Sequence, residues 1–393
     1  MTSGTSDLIL TRELTVECVD TYSEFLGLER SWNGLLMQSD RPVPFLTWEW
    51  ISTWWKHFSG GSRLFVLVAK TKDEEVVGIA PLRITTRNAF GVVPVRFVEF
   101  LGYRGSVVCA DHLDFLTCRI DRRTVYMALL DALLSRRSEW DCLQFGDVAQ
   151  DSLLPHLLSG LANDSALTFE SGPQERCPYL ELPGEWEILL SSLKAKRRSF
   201  IKTKRERLEK DYQVHFDHDS FPDHVLEQLG VLEKLHMLAR QRKGGEGNFA
   251  IDEYRNFHHE LALRMARAGH LYLARLDCNG VPTASVYGFF LGQRVFYYQT
   301  GFDPAWASQG VGSVLLGKVI EDAIERLHAR EFDFLRGDES YKYHWTKNEH
   351  IIKTQHFWSR SANARLAEAE FVARRTLSRM RSKLQDWTAT TKD

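Results

Sequence analysis

The stretch Asp303-Pro304-Ala305-Trp306-Ala307-Ser308-Gln309-Gly310-Val311-Gly312 has the residues to hold a phosphate. It joins a strand-like run, Phe296-Tyr297-Tyr298-Gln299-Thr300-Gly301, to a segment of helical pattern starting near Ser313. A strand, a glycine-bearing turn and a helix in that order aim unpaired backbone N–H groups at one spot, where the helix dipole also favours negative charge. Gly310 and Gly312 let that backbone approach a pyrophosphate with no Cβ in between. The spacing is not the dinucleotide-binding fingerprint, because Leu315 stands where its third glycine belongs, and no Gly-Lys-Ser/Thr makes it a Walker loop. A phosphate cradle and a plain tight start to a helix both account for the two glycines.

Three further groups carry charge or acid–base capacity. Lys194, Lys196, Arg197, Arg198, Lys202, Lys204, Arg205, Arg207 and Lys210 crowd one helix-like segment, offset in part by Glu206 and Glu209. They form either a solvated face with i, i+4 pairs or an anion site for a phosphate, a nucleotide-linked sugar or an RNA acceptor stem. Under the second reading Arg198, Lys202 and Arg205 are the expected substrate contacts. Stacking aromatics are sparse there, with only Phe200 and Tyr212, which counts against RNA. The segment Arg240-Gln241-Arg242-Lys243-Gly244-Gly245-Glu246-Gly247-Asn248 reads as a loop between helices, either a simple connection or a flap over a ligand. As a flap it would bring Arg240 and Lys243 to the acceptor. Asp338 and Glu339 are candidate bases, although acids just after a strand commonly cap the next turn.

The elements that must position these groups recur. Leu64-Phe65-Val66-Leu67-Val68-Ala69 and Leu271-Tyr272-Leu273-Ala274 each open a unit of two apolar runs about a polar turn. A strand ending in glycine follows (Gly102, Gly301), then an amphipathic helix and a last strand ending Gly-Asp (Gly146-Asp147, Gly337-Asp338). The shared order argues duplication, and only the second copy carries the glycine loop. Helices are expected at Val125–Leu134, closed by Arg136-Arg137, and at Val314–Leu327, where Leu315, Val319, Ala323 and Leu327 make one apolar stripe. Residues 8–58 read as a strand followed by helices. Within them, the tryptophan-rich run Phe45–Trp55 reads as packing ahead of a groove lining. Residues 161–171 read as a linker, Gly172-Pro173 as a break, Tyr179–Pro183 and Phe332–Leu335 as strands, and Ala362–Trp387 as a helical tail along the surface.

Bulk properties narrow the class. A chain of 393 residues, 44% apolar and 26% charged, suits two globular domains. A formal charge of -2 gives no whole-molecule pull toward DNA or an anionic membrane. Six scattered cysteines without a C-x-x-C pair, and histidines without H-E-x-x-H, fit neither a disulfide framework nor a metal site. There is no G-x-S-x-G for a serine hydrolase. The polar start Met1–Asp7 and the lack of any apolar run near ~20 residues lead to the expectation of a cytoplasmic enzyme with no transmembrane segment.

The hairpin, central strand, glycine turn, amphipathic helix and further strand together resemble the core of the GNAT acyltransferases. In that family the glycine loop, Q/R-x-x-G-x-G/A, receives the pyrophosphate of acyl-CoA. Gly310 and Gly312 match its small positions, Ala307 departs from its leading Gln or Arg, and Gln309 offers a polar side chain nearby. More narrowly, residues 45 to 358 resemble the tandem-GNAT proteins of the CelD/BioF2-like group, related to the Fem aminoacyl transferases. The segments that carry this are Phe45–Trp50, Leu193–Arg198 and Gly337–Trp345.

The resemblance implies an α/β (α+β) fold of two tandem GNAT-like mixed-sheet units with flanking helices. The expected divisions are a degenerate unit at 8–176, an acyltransferase domain at 177–360 and a helical tail at 361–393. It implies N-acylation of an amine by acetyl-CoA or another acyl-CoA, on an amino sugar or an envelope or polysaccharide precursor. Backbone N–H groups at Tyr298, Gln299 and Thr300 would polarise the acyl carbonyl, and Gln309, Gly310, Val311, Gly312 and Ser313 would hold the cofactor. Tyr341 would protonate the leaving thiolate, Lys342 would stabilise an oxyanion or an anionic substrate, and Asp338 is the candidate base. Two alternatives stand beside it. One is a Fem-like transferase using aminoacyl-tRNA, against which no long inserted helical hairpin is visible. The other is a non-catalytic interaction module of GNAT shape.

Overall fold

The computed structural model describes residues 14–103, 108–119, 121–164, 167–242 and 244–390, with backbone alone at 161–164, 378–379 and 381–390. Met1–Asp7 and Lys243 lie outside these residues. The strands of the first half are β1 (Thr15–Val19), β2 (Arg63–Leu64), β3 (Val66–Lys70), β4 (Val76–Ala80), β5 (Leu82–Ala89), β6 (Val93–Phe100), β7 (Leu116–Thr117) and β8 (Cys142–Ala149). Those of the second are β9 (Thr168–Glu181), β10 (Val214–His218), β11 (Leu271–Cys278), β12 (Val281–Leu291), β13 (Arg294–Phe302), β14 (Glu331–Asp333) and β15 (Glu349–Trp358). The helices are α1 (Tyr22–Gly27), α2 (Glu29–Leu36), α3 (Trp48–Phe58), α4 (Arg122–Ser135) and α5 (Leu153–Asp164), then α6 (Trp186–Ser192), α7 (Ala195–Asp211), α8 (Val225–Gln241), α9 (Asp252–Arg267), α10 (Val311–Glu325) and α11 (Ala362–Thr390).

The duplicated order is visible in the strand pairing. β5 runs antiparallel to β6, α4 crosses over, and β8 returns parallel to β6 at Phe97–Glu99. In the second unit β12 runs antiparallel to β13, α10 crosses over, and β14 returns parallel to β13 at Arg294–Phe296. Both units are therefore mixed-sheet α/β arrangements of one kind. Strands β11 and β12 are buried on both faces, as their near-continuous apolar runs require, with α8 against one face and α10 against the other. Helix α10 begins three residues earlier than expected and buries Leu315, Val319, Ile320, Ala323 and Ile324.

The units share one sheet of eleven strands in the order β10-β11-β12-β13-β14-β9-β15-β8-β6-β5-β2, beside a smaller sheet β1-β3-β4-β7. β9 is the joint: Tyr179–Glu181 pair with β14, whereas its earlier residues pair with β15, which in turn pairs with β8. The boundary expected after residue 176 thus falls inside a strand. The expected linker at 161–171 is corrected likewise, since it supplies the end of α5 and the start of β9. Gly172-Pro173 does not break the chain either. The β15 register shifts between Lys353 and Gln355, and a bulge there accommodates a proline that cannot donate to the ladder.

The tryptophan-rich run is core, as its helical spacing suggested. Trp50 of α3 is fully buried, with its ring centroid 5.4 Å from Phe257 of α9 and 5.8 Å from Tyr298 of β13. Helix α11 packs Ala364, Ala367 and the half-buried Phe371 onto Val95, Phe97 and Trp358. Among the described residues no helix is long and apolar enough to cross a membrane.

Candidate active site

The central strand of the second unit has a free edge. β14 pairs only with Arg294–Phe296, so from Tyr297 onward β13 has no β14 partner. At that point the β12–β13 register shifts: Tyr287 faces Gln299 and Gly288 faces Tyr297, leaving Tyr298 as the extra residue of a bulge. Gly288 permits this, because a Cβ there would overlap the Phe296 carbonyl oxygen. Helix α8 presses on the strand's end, where a Cβ on Gly301 would collide with the backbone of Leu235 and His236. His236 Nδ1 donates to the Thr300 carbonyl at 3.1 Å, and burial lowers the pKa of its imidazole. The Tyr298 side chain turns away into the aromatic core, while Gln299 Nε2 donates to the Tyr254 hydroxyl at 3.2 Å.

The glycine loop follows this strand. Pro304–Gln309 forms a 3-10 turn begun by Asp303, whose carboxylate accepts from the Ala305 amide at 2.9 Å. The Trp306 ring anchors the turn edge-on against Tyr212 at 4.8 Å. Gly310 adopts φ +75°, a conformation that suits glycine, and its carbonyl takes the amides of Ser313 and Val314. No side chain caps α10, so its first-turn amides at Val311 and Gly312 face outward without an intrahelical partner. A Cβ on Gly312 would meet only the Phe302 ring at 3.7 Å, so the space in front of the turn is open.

Two cations flank the loop. Lys204 Nζ donates to the Ser308 carbonyl at 3.2 Å, and an Arg242 guanidinium nitrogen donates to the Pro304 carbonyl at 3.4 Å. An uncapped helix start, glycine backbone and neighbouring cations are the donor set for a pyrophosphate. The first unit lacks this. Its α4 is preceded by Asp121, in a left-handed conformation, with no glycine at the helix start.

On the far side of the free edge, Tyr341 is half-buried against the second-unit core. Burial, then the neighbouring Tyr297 and Glu339, push its phenol well above the ordinary value, so it keeps its proton at neutral pH. Lys342 corrects its expected role. Its buried ammonium donates to the carbonyls of Leu335 at 3.2 Å and Arg336 at 2.7 Å and meets the Glu339 carboxylate at 2.9 Å. Its three protons are thus committed to a turn in which Leu335 has φ +56°, leaving none for an oxyanion. Asp338 is exposed at the tip of that turn.

Among the described residues, the expected acceptor contacts Arg198, Lys202, Arg205 and Arg240 are not brought together. Arg198 donates to the carbonyls of Ser191 and Leu193, Lys202 lies 3.5 Å from Glu187, and Arg205 is paired with both Glu209 and Glu321. Arg240 is exposed on α8, beside Gly247. Of the basic helix it is Lys204 that reaches the glycine loop, a choice that charge counting alone could not make.

A buried network escaped the sequence reading altogether. Glu331, Asp333 and His350 converge within 4.8 Å of one another, a grouping that could ligate a cation, but the Arg41 guanidinium occupies their midst. It pairs with Glu331 at 2.6 Å and Asp333 at 2.7 Å. Burial alone would raise the Asp333 pKa, yet the His112 hydrogen bond at 3.1 Å and the charges of His112 and Arg41 hold it well below the usual range. Likewise Arg336 ties the turn after β14 to Asp111 and Asp147 of the first unit.

Comparisons with known proteins bear on the fold. Residues 195–343 match the family model described as an acetyltransferase (GNAT) domain. The fold is similar to that of FemX, with 12% identity over 87% of this chain and 96% of that one and a TM-score of 0.58. It is also similar to the C-terminal domain of a putative lysylphosphatidylglycerol synthetase from Agrobacterium fabrum (9% identity, 88% of this chain, 96% of that one, TM-score 0.50). A conserved protein of unknown function from Bacteroides thetaiotaomicron matches 88% of this chain and 100% of its own at 12% identity, TM-score 0.53. No curated protein matches the sequence.

Proposed function

With a GNAT domain at residues 195–343 and a FemX-like fold overall, we propose that this GNAT-superfamily protein is an acyl-CoA-dependent N-acyltransferase. The uncapped, glycine-bearing start of α10, beside the free edge of β13, carries this reading. The amides of Val311 and Gly312, with Lys204, would hold the cofactor's pyrophosphate, where the missing Cβ of Gly312 leaves room for it. Acyl-CoA, when bound, supplies an acyl group activated as a thioester. The edge of β13 from Tyr297 to Thr300 would offer N–H groups to the acyl oxygen. The amine nitrogen would bond to the acyl carbon as the C–S bond breaks; Tyr341 would give its proton to the departing sulfur, and the proton lost by the amine nitrogen would restore the phenol. Lys342 keeps the turn bearing Tyr341 in place. We infer an amine acceptor of the amino-sugar or envelope-precursor kind in the cytoplasm, where six free thiols fit a reducing compartment.

The aminoacyl-tRNA alternative draws on the likeness of fold to FemX. α8 and α9 pack against the sheet and α3 and do not project as an arm for nucleic acid. Thiol release from acetyl-CoA over a panel of amino sugars tests the proposal. Tyr341→Phe should lower kcat by about 100-fold or more, within the range of general acid catalysis, and leave CoA affinity unchanged. Turnover unaffected by this change would remove Tyr341 from the chemistry.

A further inference from the structure

Arginines that fold into this protein find carboxylates. Arg41 meets Glu331 and Asp333, Arg83 meets Glu99, and Arg336 meets Asp111 and Asp147. Arg197, on the first turn of α7, does not. Its guanidinium lies over the ring of Trp345 at 4.8 Å and that of Phe200 at 5.2 Å, and its Nε is buried without a hydrogen-bond partner. It lines a pocket of about 540 Å³ between the start of α7 and the segment Tyr343–Lys347. Lys194, Lys196 and Lys347 line the same pocket, no carboxylate does, and none of these four cations has an ion pair among the described residues. A half-desolvated guanidinium stacked on two rings, with lysines and no carboxylate lining its pocket, is an unbalanced charge, and burial accordingly lowers its pKa. A bound anion would balance it. The planar fork, stacked on an indole and joined by flexible ammonium groups, suits the tetrahedral oxygens of a phosphate.

We infer that this pocket is a second anion site, distinct from the glycine loop, and that it takes a phosphate group carried by one of the reactants. This deepens the transferase reading and rests on it for the identity of those reactants. Arg197 and Lys204 are seven residues apart on α7, roughly 10 Å by helical rise, so the two anion sites sit along one helix. The pocket's other wall follows directly on Tyr341 in the chain, which puts a phosphorylated acceptor within its reach. The 3′-phosphate of CoA has the same chemistry.

Calorimetric titration with inorganic pyrophosphate tests the inference on the full chain. The unaltered protein should bind two equivalents. Gly312→Glu should retain only the Arg197 site, and Arg197→Met, which keeps the packing on Trp345, should retain only the glycine-loop site. Lys347→Gln, a change at an exposed position, should weaken the second site several-fold and guards against misfolding at Arg197. Pyrophosphate binding to Gly312→Glu that is indifferent to both Arg197→Met and Lys347→Gln would overturn the inference. Parallel titration with CoA separates the sources. Unchanged CoA affinity in Arg197→Met assigns the site to the acceptor's phosphate, and a tenfold loss, absent with dephospho-CoA, assigns it to the 3′-phosphate. Failure of Gly312→Glu to affect CoA would count against the transferase reading alone.

Discussion

The Lys342 ammonium is buried among the carbonyls of Leu335 and Arg336 and the carboxylate of Glu339. Lys342→Met should therefore cost about 1–3 kcal/mol in urea unfolding, the penalty for buried acceptors left without donors. Turnover should fall with the displaced turn. Full stability in that variant would contradict the positioning role. His258 carries the pH prediction. It lies in a cage of Trp50, Phe249, Tyr254, Phe257, Tyr287 and Tyr298, and burial lowers its pKa from 6.5 to about 3. The unfolded chain protonates this imidazole below pH 6.5, whereas the folded chain resists until about 3. The stability that neutral His258 contributes is thus full above 6.5 and is lost as pH falls through that window. His258→Phe should remove this share, narrowing the loss between pH 6.5 and 5 by about 1.5 to 2 kcal/mol in paired urea titrations. Asp114, Asp147 and Asp322, each pushed up to about 6 by burial, titrate with the opposite sign but in both proteins alike, so they cancel in the comparison. The sequence named Lys342 from the motif around it but could not assign its partners, because the Leu335 and Arg336 carbonyls become acceptors only once the turn has formed. Arg197 was not singled out from a run of nine like charges for the same reason, since only the fold reveals which cation lacks a counterion.

At the level of elements, β13 and α8 have to touch. Gly301 leaves the space in which the backbone of Leu235 and His236 lies, and that approach puts the His236 imidazole on the Thr300 carbonyl. Gly301→Ala should push α8 off the strand and destabilise the protein by about 1–3 kcal/mol, the usual cost of overpacking a filled core. Chemical denaturation checks the size, and a variant as stable as the parent would show that α8 is not held there. The strands and helices around the glycine loop were legible because each carries its own local signal. These are the apolar runs of β11 to β13, the one-faced stripe of α10, and the glycines of the turn. β9 was not legible, because its strand continues through Gly172-Pro173 only by virtue of a bulge against β15, and β15 comes from the far end of the chain. Long-range pairing overrides a local breaker, and a single sequence does not announce its partners.

In the whole molecule the duplicated units form one sheet through β9 and β15, and α3 and Arg41 fasten the first unit to the back of the second. The divergence between the copies sits at the helix starts. α4 opens with Asp121, whereas α10 opens with Gly310-Val311-Gly312 flanked by Lys204. The sequence showed this asymmetry, and the structure adds the free edge of β13 beside it. The central claim is that the start of α10 holds the pyrophosphate of acyl-CoA, and the thermal stability of the full chain against rising acetyl-CoA tests it directly. A ligand at ~100 times its Kd stabilises a protein by ~2.7 kcal/mol, enough for a clear midpoint shift. The account predicts a saturating shift for the unaltered protein and none for Gly312→Glu, whose Cβ the fold accommodates but whose carboxylate would occupy the cradle. No shift at millimolar acetyl-CoA, or an equal shift in both proteins, would contradict it.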